Sequence, residues 1–210
     1  MKKFSRRTIE RFFRYSQFLH TLQDGGTDHV YSHELAAAVS ISPEQVRRDL
    51  MGFKLRGTPQ RGYPITPFLQ ELHLHLESTT MTKMVLVGVG NMGRAILSHF
   101  TARRPDLHVV AAFDRDPEKV NKTYSGCPVL HVSQVARVVG KEKPVIGILA
   151  VPPDSAREAA EALVAAGVRG LVNFAPVKLE VPAGVTVEQP DISFCIDKTA
   201  YYARKHAPVN

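Results

Sequence analysis

Three glycines, Gly88, Gly90 and Gly93, follow a short apolar run that is typical of a buried strand. A strand that ends in Gly-x-Gly-x-x-Gly and leads into a helix brings main-chain N–H groups onto a pyrophosphate. Gly88 permits the tight turn, Gly90 lets the main chain approach the phosphates, and Gly93 lets the helix pack close to the sheet. The spacing alone is a weak signal, so the surrounding residues decide its interpretation.

The carboxylate of Asp114 supplies that context. Residues 107–113 are predicted to form a second strand, which places Asp114 twenty-one residues after Gly93. A carboxylate there accepts hydrogen bonds from the ribose hydroxyls of NAD and repels the 2′-phosphate of NADP, although Arg115 beside it weakens this preference. The sequence therefore predicts an NAD(H) site. Its first candidate contacts are Gly88, Val89, Gly90, Asn91, Met92, Gly93 and Asp114.

Strands and helices alternate through the rest of this region. Residues 143–151, 169–174 and 185–188 are predicted strands, and residues 154–166 form an alanine-rich helix. The pattern predicts an α/β Rossmann-like, doubly wound domain, in which the ligand lies among the loops that follow the strands. Those loops add five candidate cofactor contacts, which are Val151, Pro152, Phe174, Ala175 and Pro176.

The first 80 residues differ in charge and in predicted structure. The chain carries a net charge of +7, which suits a polyanionic partner, and two basic clusters fall in this region. Residues 1–14 contain six Lys or Arg against Glu10 alone, and residues 43–63 contain five against Glu44 and Asp49. We place a domain boundary at residues 78–83, where the composition changes.

Three helices are predicted before that boundary. Residues 8–22 carry an apolar stripe, Ser32 is predicted to cap a second helix, and Ser42 with Pro43 begins a third. Two short helices joined by a turn of about three residues form a helix-turn-helix. Val46, Leu50 and Phe53 are predicted to face inward.

The outer face of the third helix is basic and can meet base edges and phosphates in a major groove. Residues 56–65 are punctuated by Gly and Pro, which predicts a hairpin wing. Small helical triplets with outward arginines also serve as protein-interaction or dimerisation modules. The candidate DNA contacts are Ser42, Gln45, Arg47, Arg48, Lys54, Arg56, Arg61 and Tyr63.

Other functional classes have little support in the residues. Cys127 and Cys195 form no CxxC pair, and His73 and His75 are spaced to point in different directions on a helix, so no metal site is predicted. No apolar run reaches the length of a membrane span, and the N-terminus lacks the apolar core of a signal peptide. We expect a reduced, cytoplasmic protein with no membrane partner.

Four segments together resemble the Rex family of NADH-responsive transcriptional repressors, over nearly the whole chain. They are residues 42–50 with Phe53, Gly57, Gly62 and Tyr63; residues 88–93; residues 112–120; and residues 173–182. The last segment is the most specific, because no general rule for dinucleotide binding demands it.

The resemblance implies a winged-helix domain that binds palindromic, double-stranded operator DNA as a homodimer. It implies that NAD⁺ is compatible with DNA binding, that NADH releases the repressor, and that the protein is not an enzyme. It also implies that a helix from Ile192 to about Lys205 is exchanged between subunits. The predicted domains are a winged-helix domain (residues 1–80), a Rossmann-like NAD(H)-binding domain (residues 81–190) and a C-terminal dimer-swapped helix (residues 191–210).

Two departures from the family bear on DNA binding and switching. The wing carries residues 58–61 as Thr-Pro-Gln-Arg, where the family usually has glycines and a basic pair. His99 replaces a Tyr that, in the family, can join an Arg and an inter-subunit Asp in a switching network. Arg14 and Asp191 stand at the other two positions, so the candidate switch residues are Arg14, His99 and Asp191.

Two alternative functions remain at this point. One is an NAD-dependent oxidoreductase, for which His131 is the best isolated acid–base candidate, although little chain is left for a substrate domain. The other is a nucleotide-binding adaptor that docks another protein through residues 1–75 and binds no DNA.

Overall fold

A computed structural model describes residues 4–58, 60–76, 81–103 and 106–205 of the 210-residue chain. The chain divides into two compact units, Met1–Thr80 and Met81–Asn210. Four parts of the sequence expectations lie outside the described residues: residues 1–3 of the N-terminal basic cluster, Pro59 of the wing, residues 78–80 of the predicted boundary, and residues 206–210 of the predicted swapped helix.

The first unit is built from helices and a short two-stranded sheet. Its elements are α1 (Arg6–Asp24), β1 (His29–Val30), α2 (Ser32–Val39), α3 (Pro43–Leu50), β2 (Tyr63–Pro64) and α4 (Ile65–Leu76). The two strands pair antiparallel, with Val30 opposite Tyr63. This is the predicted winged-helix arrangement, in which α2 and α3 form the helix-turn-helix, although α4 is not among the predicted elements.

The helix starts follow local hydrogen bonding, with one correction. Ser42 caps α3 as predicted, because its hydroxyl accepts a hydrogen bond from the main-chain N–H of Gln45 (3.2 Å). The prediction that Ser32 caps α2 is wrong, since the N-cap is Tyr31. The main-chain N–H of Tyr31 donates to a carboxylate oxygen of Glu34 (2.7 Å), so the glutamate supplies the cap interaction from inside the first turn.

Apolar side chains from all four described helices of this unit meet in one core. The predicted inward face of α3 is confirmed, because Val46 and Leu50 are buried, and Phe53 is buried as well although it lies after the end of the helix. The Phe53 ring packs edge-on against Phe12 of α1, with 5.1 Å between ring centroids. Burial of these faces, rather than helix propensity, fixes short helices such as α2 and α3.

One carboxylate is buried at the edge of this core. Asp49 of α3 accepts two hydrogen bonds from Arg11 of α1, from Nε (2.6 Å) and Nη2 (2.7 Å), and a third from the Tyr15 hydroxyl (2.9 Å). Burial opposes ionisation of Asp49, but the bonds from Arg11, Gln45 and Tyr15 outweigh it and hold its pKa below the ordinary value. Asp49 therefore stays charged at neutral pH and ties α3 to α1.

The second unit is a doubly wound α/β domain. Its elements are β3 (Thr82–Val87), α5 (Asn91–Arg103), β4 (Leu107–Asp114), β5 (Thr123–Tyr124), β6 (Cys127–His131), α6 (Val135–Glu142), β7 (Ile146–Leu149), α7 (Pro153–Ala166), β8 (Gly170–Asn173), β9 (Thr186–Glu188) and α8 (Ile192–Lys205). The described strands form a sheet in the order β5-β6-β4-β3-β7-β8-β9. Within it, β5 runs antiparallel to β6 and the other neighbours are parallel.

Helices cover both faces of this sheet. Alternate residues of β3 enter different cores: Val85 and Val87 pack with α6 and α7, whereas Met84 and Leu86 pack with α5. This division follows from the two-residue period of a strand. The Rossmann-like fold predicted from the sequence is confirmed.

Several boundaries differ from those predicted. The strand predicted over residues 143–151 spans only Ile146–Leu149, because Lys143 adopts a left-handed conformation (φ 50°) that ends α6. The elements β5, β6 and α6 were not predicted. Their segments are short, and their polar and apolar residues do not follow one clear period.

Helix α8 exposes large apolar side chains around its surface. Five large apolar side chains are between 54 and 62% exposed, and none of the described residues of this helix is buried. They are Ile192, Phe194, Ile196, Tyr201 and Tyr202. Exchange of this helix between subunits stays a prediction.

The Asp49 cluster leads to a prediction about stability. The variant Asp49→Asn removes a charged acceptor that serves Arg11 and Tyr15, and loss of a hydrogen bond to a charged group costs about 1.5–3 kcal/mol. We expect the free energy of unfolding at neutral pH, measured by urea titration with circular dichroism, to fall by that amount. Because the folded-state pKa of Asp49 is lowered, its contribution is present above the ordinary Asp pKa and disappears as pH falls through the folded value. The difference between wild type and variant should therefore shrink in acid.

The matched control for this experiment is Asp24→Asn at the exposed end of α1. It should change the free energy of unfolding by less than about 0.5 kcal/mol. Equal effects of the two substitutions would contradict the role assigned to Asp49.

Candidate functional site

A cleft of about 970 Å³ lies at the carboxyl ends of β3, β4 and β7. Its volume is within the range of about 300–1,000 Å³ that is typical of cofactor sites. Parallel strands bring the loops that follow them to the same edge of the sheet, which is why residues distant in sequence meet here. Five of the predicted cofactor contacts line it: Gly88, Gly90, Asp114, Val151 and Pro152.

The glycine turn is packed too closely for side chains at two positions. Gly88 has a φ of +96°, and a Cβ there would lie 2.3 Å from the carbonyl oxygen of Ala150. A Cβ on Gly93 would lie 2.0 Å from the carbonyl oxygen of Gly88, so α5 starts directly against the turn. Gly90 differs, because a Cβ there would meet nothing within 4 Å. Its bare side faces open space in the cleft, where a phosphate could approach the main chain.

Asp114 ties this turn to the neighbouring strand. One carboxylate oxygen accepts the main-chain N–H of Val89 (2.8 Å), and the other accepts that of Asp116 (3.0 Å). Burial opposes ionisation, but the bonds from Asp116 and Val89 and the charge of Lys119 hold the pKa of Asp114 below its ordinary value. A carboxylate has about four acceptor positions, so an ionised Asp114 can still accept from ligand hydroxyls.

One charged side chain near Asp114, that of Lys119, was not predicted as part of the site. Lys119 Nζ lies 3.4 Å from an oxygen of Asp114 and 3.1 Å from one of Asp116, and it lines the cleft. Arg115 donates to the hydroxyl of Ser155 at the start of α7. Lys119 could have been found from its spacing, because a residue three positions after Asp116 lies one turn away. The contact between Arg115 and Ser155 depends on the packing of distant segments.

The loop after β8 is held by the buried side chain of Asn173. Its Nδ2 donates to the carbonyl oxygen of Val177 (2.8 Å), and its Oδ1 accepts the main-chain N–H of Ala175 (3.0 Å). These two bonds fix the loop that carries Phe174 and Pro176. The segment is the most specific part of the resemblance to the Rex family, but no role was predicted for Asn173.

The remaining predicted cofactor contacts have varied surroundings. Val89 and Ala175 are buried, so only their main-chain atoms could reach a ligand. Asn91 and Met92 are exposed in the first turn of α5, Phe174 is half-buried and Pro176 is exposed.

A basic surface is formed in the first unit by α3 and the loop that leads to β2. Six of the predicted DNA contacts are exposed: Ser42, Arg47, Arg48, Lys54, Arg56 and Arg61. Arg47 donates to Glu44 (2.8 Å) and to the Ser32 hydroxyl (3.3 Å), whereas Arg48 donates to Oε1 of Gln45 (3.1 Å). The outward orientation predicted for both arginines is therefore present.

The other two predicted DNA contacts also have structural partners. Gln45 is half-buried and donates to Asp49 (2.8 Å). Tyr63 is half-buried, and its ring packs against Phe68 with 6.0 Å between centroids.

The predicted wing is a tight loop braced by Tyr31. Thr58 and Gly62 exchange main-chain hydrogen bonds of 3.0 and 2.7 Å, which closes the loop. The Tyr31 hydroxyl donates to the carbonyl oxygen of Gln60 (2.8 Å), so the residue that caps α2 also holds the tip of the wing. No pattern in the sequence predicts this role of Tyr31, because its partner Gln60 lies 29 residues away.

The three candidate switch residues lie on separate elements. Arg14 is exposed on α1 of the first unit, and His99 is exposed on α5, where its ring stands edge-on to Phe100. Asp191 begins α8: its side chain accepts the main-chain N–H of Phe194 (2.8 Å). A network among the three stays a prediction.

Neither a metal site nor a membrane span is found in the described parts of the chain. No cluster of three or more His, Cys, Asp or Glu side chains there could hold a metal ion. No described helix combines the length and the apolar character needed to cross a membrane. Of the two free cysteines, Cys195 is exposed and Cys127 is buried, and burial raises the pKa of the Cys127 thiol to about 11.

Comparison with known proteins identifies relatives of both units. A profile of the CoA binding domain matches residues 79–177, and one described as "Putative DNA-binding protein N-terminus" matches residues 3–50. The redox-sensing transcriptional repressor Rex of Lactobacillus gasseri is 34% identical over 200 residues, which cover 95% of this chain and 94% of that protein. The Rex protein of an Exiguobacterium species is 32% identical over 204 residues, which cover 97% and 94%.

Solved structures agree with the sequence relatives. The Rex-family repressor RSP in complex with β-NAD⁺ and operator DNA is 27% identical, with a TM-score of 0.85 over 98% of this chain and 94% of that chain. RSP in complex with β-NADH gives the same identity and TM-score, over 98% and 96%. Since relatives more than 30% identical match this chain over nearly its whole length, the chain belongs to the Rex family of redox-sensing transcriptional repressors.

Proposed function

We propose that this protein is a redox-sensing transcriptional repressor that binds palindromic operator DNA as a homodimer and is released by NADH. The observation that carries the proposal is the joining of two surfaces in one chain. One is a cleft that presents a glycine turn and an ionised Asp114, and the other is a helix-turn-helix with exposed arginines. The Rex relatives extend over both, and RSP structures hold operator DNA with NAD⁺ in one case and NADH in the other.

NADH need not touch the DNA-binding surface in this proposal. A two-fold dimer binds two half-sites only when its recognition helices are spaced by a turn of DNA or a multiple of it. A ligand that binds the released arrangement more tightly shifts the population away from the DNA-bound one, and operator DNA must then weaken NADH binding by the same factor.

The exposed apolar side chains of α8 support the homodimer. Burial of a fully exposed large apolar side chain contributes roughly 1.5–3 kcal/mol, and this helix leaves five such side chains more than half exposed. We assign α8 to the dimer interface as a helix exchanged between subunits. On this proposal, residues 1–80 bind DNA, residues 81–190 bind NAD(H), and residues 191–210 join the subunits.

A regulator is favoured over an enzyme by the Rex relatives, which match this chain over nearly its whole length. His131, the isolated acid–base candidate, has a local structural contact: its Nδ1 accepts the main-chain N–H of Ser133 (3.3 Å) and lies 2.8 Å from the Ser133 hydroxyl. This contact holds the loop after β6. The alternative of an adaptor without DNA binding leaves the exposed arginines of α3 and the wing without a role.

The first prediction for this function concerns selection of the cofactor. The variant Asp114→Asn keeps the size of the side chain but removes the negative charge that opposes a 2′-phosphate. We expect NADH affinity to fall about ten- to a hundredfold, since hydrogen bonds to charged groups contribute about 1.5–3 kcal/mol, and we expect the preference for NADH over NADPH to narrow. Calorimetric titration with both nucleotides measures this, and the exposed Glu118→Gln on the same loop is the matched control. An unchanged preference in Asp114→Asn would remove the role assigned to Asp114.

The second prediction concerns the exposed arginines of α3. Loss of an arginine that contacts bases should cost about 1–3 kcal/mol and relax specificity, whereas loss of a phosphate contact should weaken all duplexes and flatten the salt slope by about one unit. Gel shifts with operators selected from random duplexes test Arg47→Ala, Arg48→Ala and the double variant. Lys122→Ala, an exposed lysine of the second unit, is the control. Operator binding by the double variant at wild-type affinity would contradict the assignment of α3 as the recognition helix.

The third prediction concerns coupling between cofactor and DNA. NADH affinity should be lower in the presence of operator than in its absence, and a charged contact of Asp191 with Arg14, made in one state only, should contribute to the difference. Because Asp191 also caps α8, the informative variant is Asp191→Asn, which retains a good capping residue and removes the charge. Asp191→Ala removes both and serves as the comparison.

Titration of NADH with and without operator distinguishes the redox-sensor function from the proposed contact between Asp191 and Arg14. Equal NADH affinities with and without operator in the wild type would remove the redox-sensor function. Coupling that persists unchanged in Asp191→Asn would remove only the proposed switch contact.

A further inference from the structure

The two arginines on the outer face of α3 are held in different ways. Arg47 donates to the carboxylate of Glu44 (2.8 Å) and, more distantly, to the hydroxyl of Ser32 in α2 (3.3 Å), and the side chains of the Arg47–Glu44 pair are 52 and 65% exposed. Arg48 donates to the neutral carboxamide of Gln45 (3.1 Å). An exposed ion pair contributes little and is screened by salt, and the 3.3 Å contact with Ser32 is long for a hydrogen bond, so the two together hold Arg47 only loosely.

The carboxamide of Gln45 is itself fixed from inside the domain. Its Nε2 donates to Oδ1 of Asp49 (2.8 Å), whose side chain is only 4% exposed. Both oxygens of Asp49 also accept hydrogen bonds from Arg11. An ionised carboxylate only accepts hydrogen bonds, so the amide group that faces it must be the NH₂ group.

This orientation decides what Gln45 presents to Arg48. With its NH₂ group on Asp49, the amide oxygen points away and accepts from the guanidinium of Arg48. The reverse orientation would set the amide oxygen against the Asp49 carboxylate and two donors against Arg48. A continuous series of hydrogen bonds therefore runs from Arg11 in α1, through Asp49 and Gln45, to the exposed end of Arg48.

We propose that Gln45 is a positioning residue that holds Arg48, rather than Arg47, as the arginine that contacts bases in the operator. The inference rests on the proposed function, and it assigns to Gln45 an indirect role in place of the direct base contact expected from its outward position. Bidentate recognition of a guanine requires the planar guanidinium to be aimed at one base edge. A side chain ordered before binding loses less freedom on binding, whereas Arg47 can exchange Glu44 for a DNA phosphate.

A double-mutant cycle between Gln45 and Arg48 tests the proposal. Gln45→Ala keeps a good helix former in α3, and Asp49 keeps its bonds from Arg11 and Tyr15, so the domain should fold; the thermal unfolding midpoint checks this. We expect Gln45→Ala to weaken binding of the selected operator about three- to tenfold, the cost of ordering one long side chain. Binding of an unrelated duplex of equal length should not change. In an Arg48→Ala background, Gln45→Ala should have no further effect on operator affinity.

The matched control is Glu44→Gln on the same helix. It removes the carboxylate that holds Arg47 and should strengthen binding of both duplexes alike, because a negative charge leaves the DNA-facing surface. Selection from random duplexes provides a second measurement. Arg48→Ala should lose the preference at one base pair of each half-site, whereas Arg47→Ala should retain it.

Three results would overturn the proposal. They are an equal cost of Gln45→Ala with and without Arg48, an equal loss for operator and unrelated duplex, or loss of the base preference in Arg47→Ala alone. Failure of the wild type to bind any duplex would overturn the proposed function as well. Operator binding without coupling between Gln45 and Arg48 would overturn only this inference.

Discussion

The hydrogen bond from the main chain of Val89 to the carboxylate of Asp114 (2.8 Å) sets the geometry of the second unit's cleft. It joins the glycine turn after β3 to the end of β4, its neighbour in the sheet. Gly88 can then turn with a positive φ, and Gly93 can start α5 directly against the turn. The same carboxylate that would accept ribose hydroxyls thus also shapes the turn that would receive the phosphates. Any change at Asp114 therefore affects both ribose binding and the shape of the turn. A substitution that preserves the shape of the side chain tests its charge more cleanly than a truncation does.

Asp49 has a comparable position in the first unit. It is a nearly buried carboxylate beside a functional surface, and it remains ionised because donors from two helices outweigh the cost of burial. Burying a charge is unfavourable unless it is paired and fully hydrogen-bonded, and Asp49 meets that condition through Arg11, Tyr15 and Gln45. These hydrogen bonds fix α3 to α1 in rotation as well as in position. Apolar packing of Val46 and Leu50 alone would leave the outer face of so short a helix less well oriented.

The sequence was most informative where a residue pattern has one local cause. The glycine spacing, the Ser42-Pro43 helix start and the alternation of strands and helices each follow from short-range geometry, and the structure contains all three. The start of α2 was predicted wrongly because Tyr31 and Ser32 are neighbours and either could be the N-cap. The hydrogen bond from the main-chain N–H of Tyr31 to Glu34 makes Tyr31 the N-cap. The end of β7 was overestimated because apolar residues continue beyond the strand into the turn at Pro152.

Contacts between distant segments could not be predicted from short-range sequence patterns. The pairing of Arg11 with Asp49 spans 38 residues, and the contact of Tyr31 with Gln60 spans 29. Each side chain alone resembles an ordinary surface or capping residue, and only the packed fold reveals its partner. The same limit explains Gln45: its position on the outer face of α3 suggested a direct base contact, whereas its hydrogen bonds are shared between Asp49 and Arg48. A polar residue at the border of a core and a recognition surface can transmit the rigidity of the core to the side chains that meet the ligand. In this protein the border residue is neutral and its neighbours are charged, so it can orient Arg48 without adding a negative charge of its own to a surface that faces phosphates.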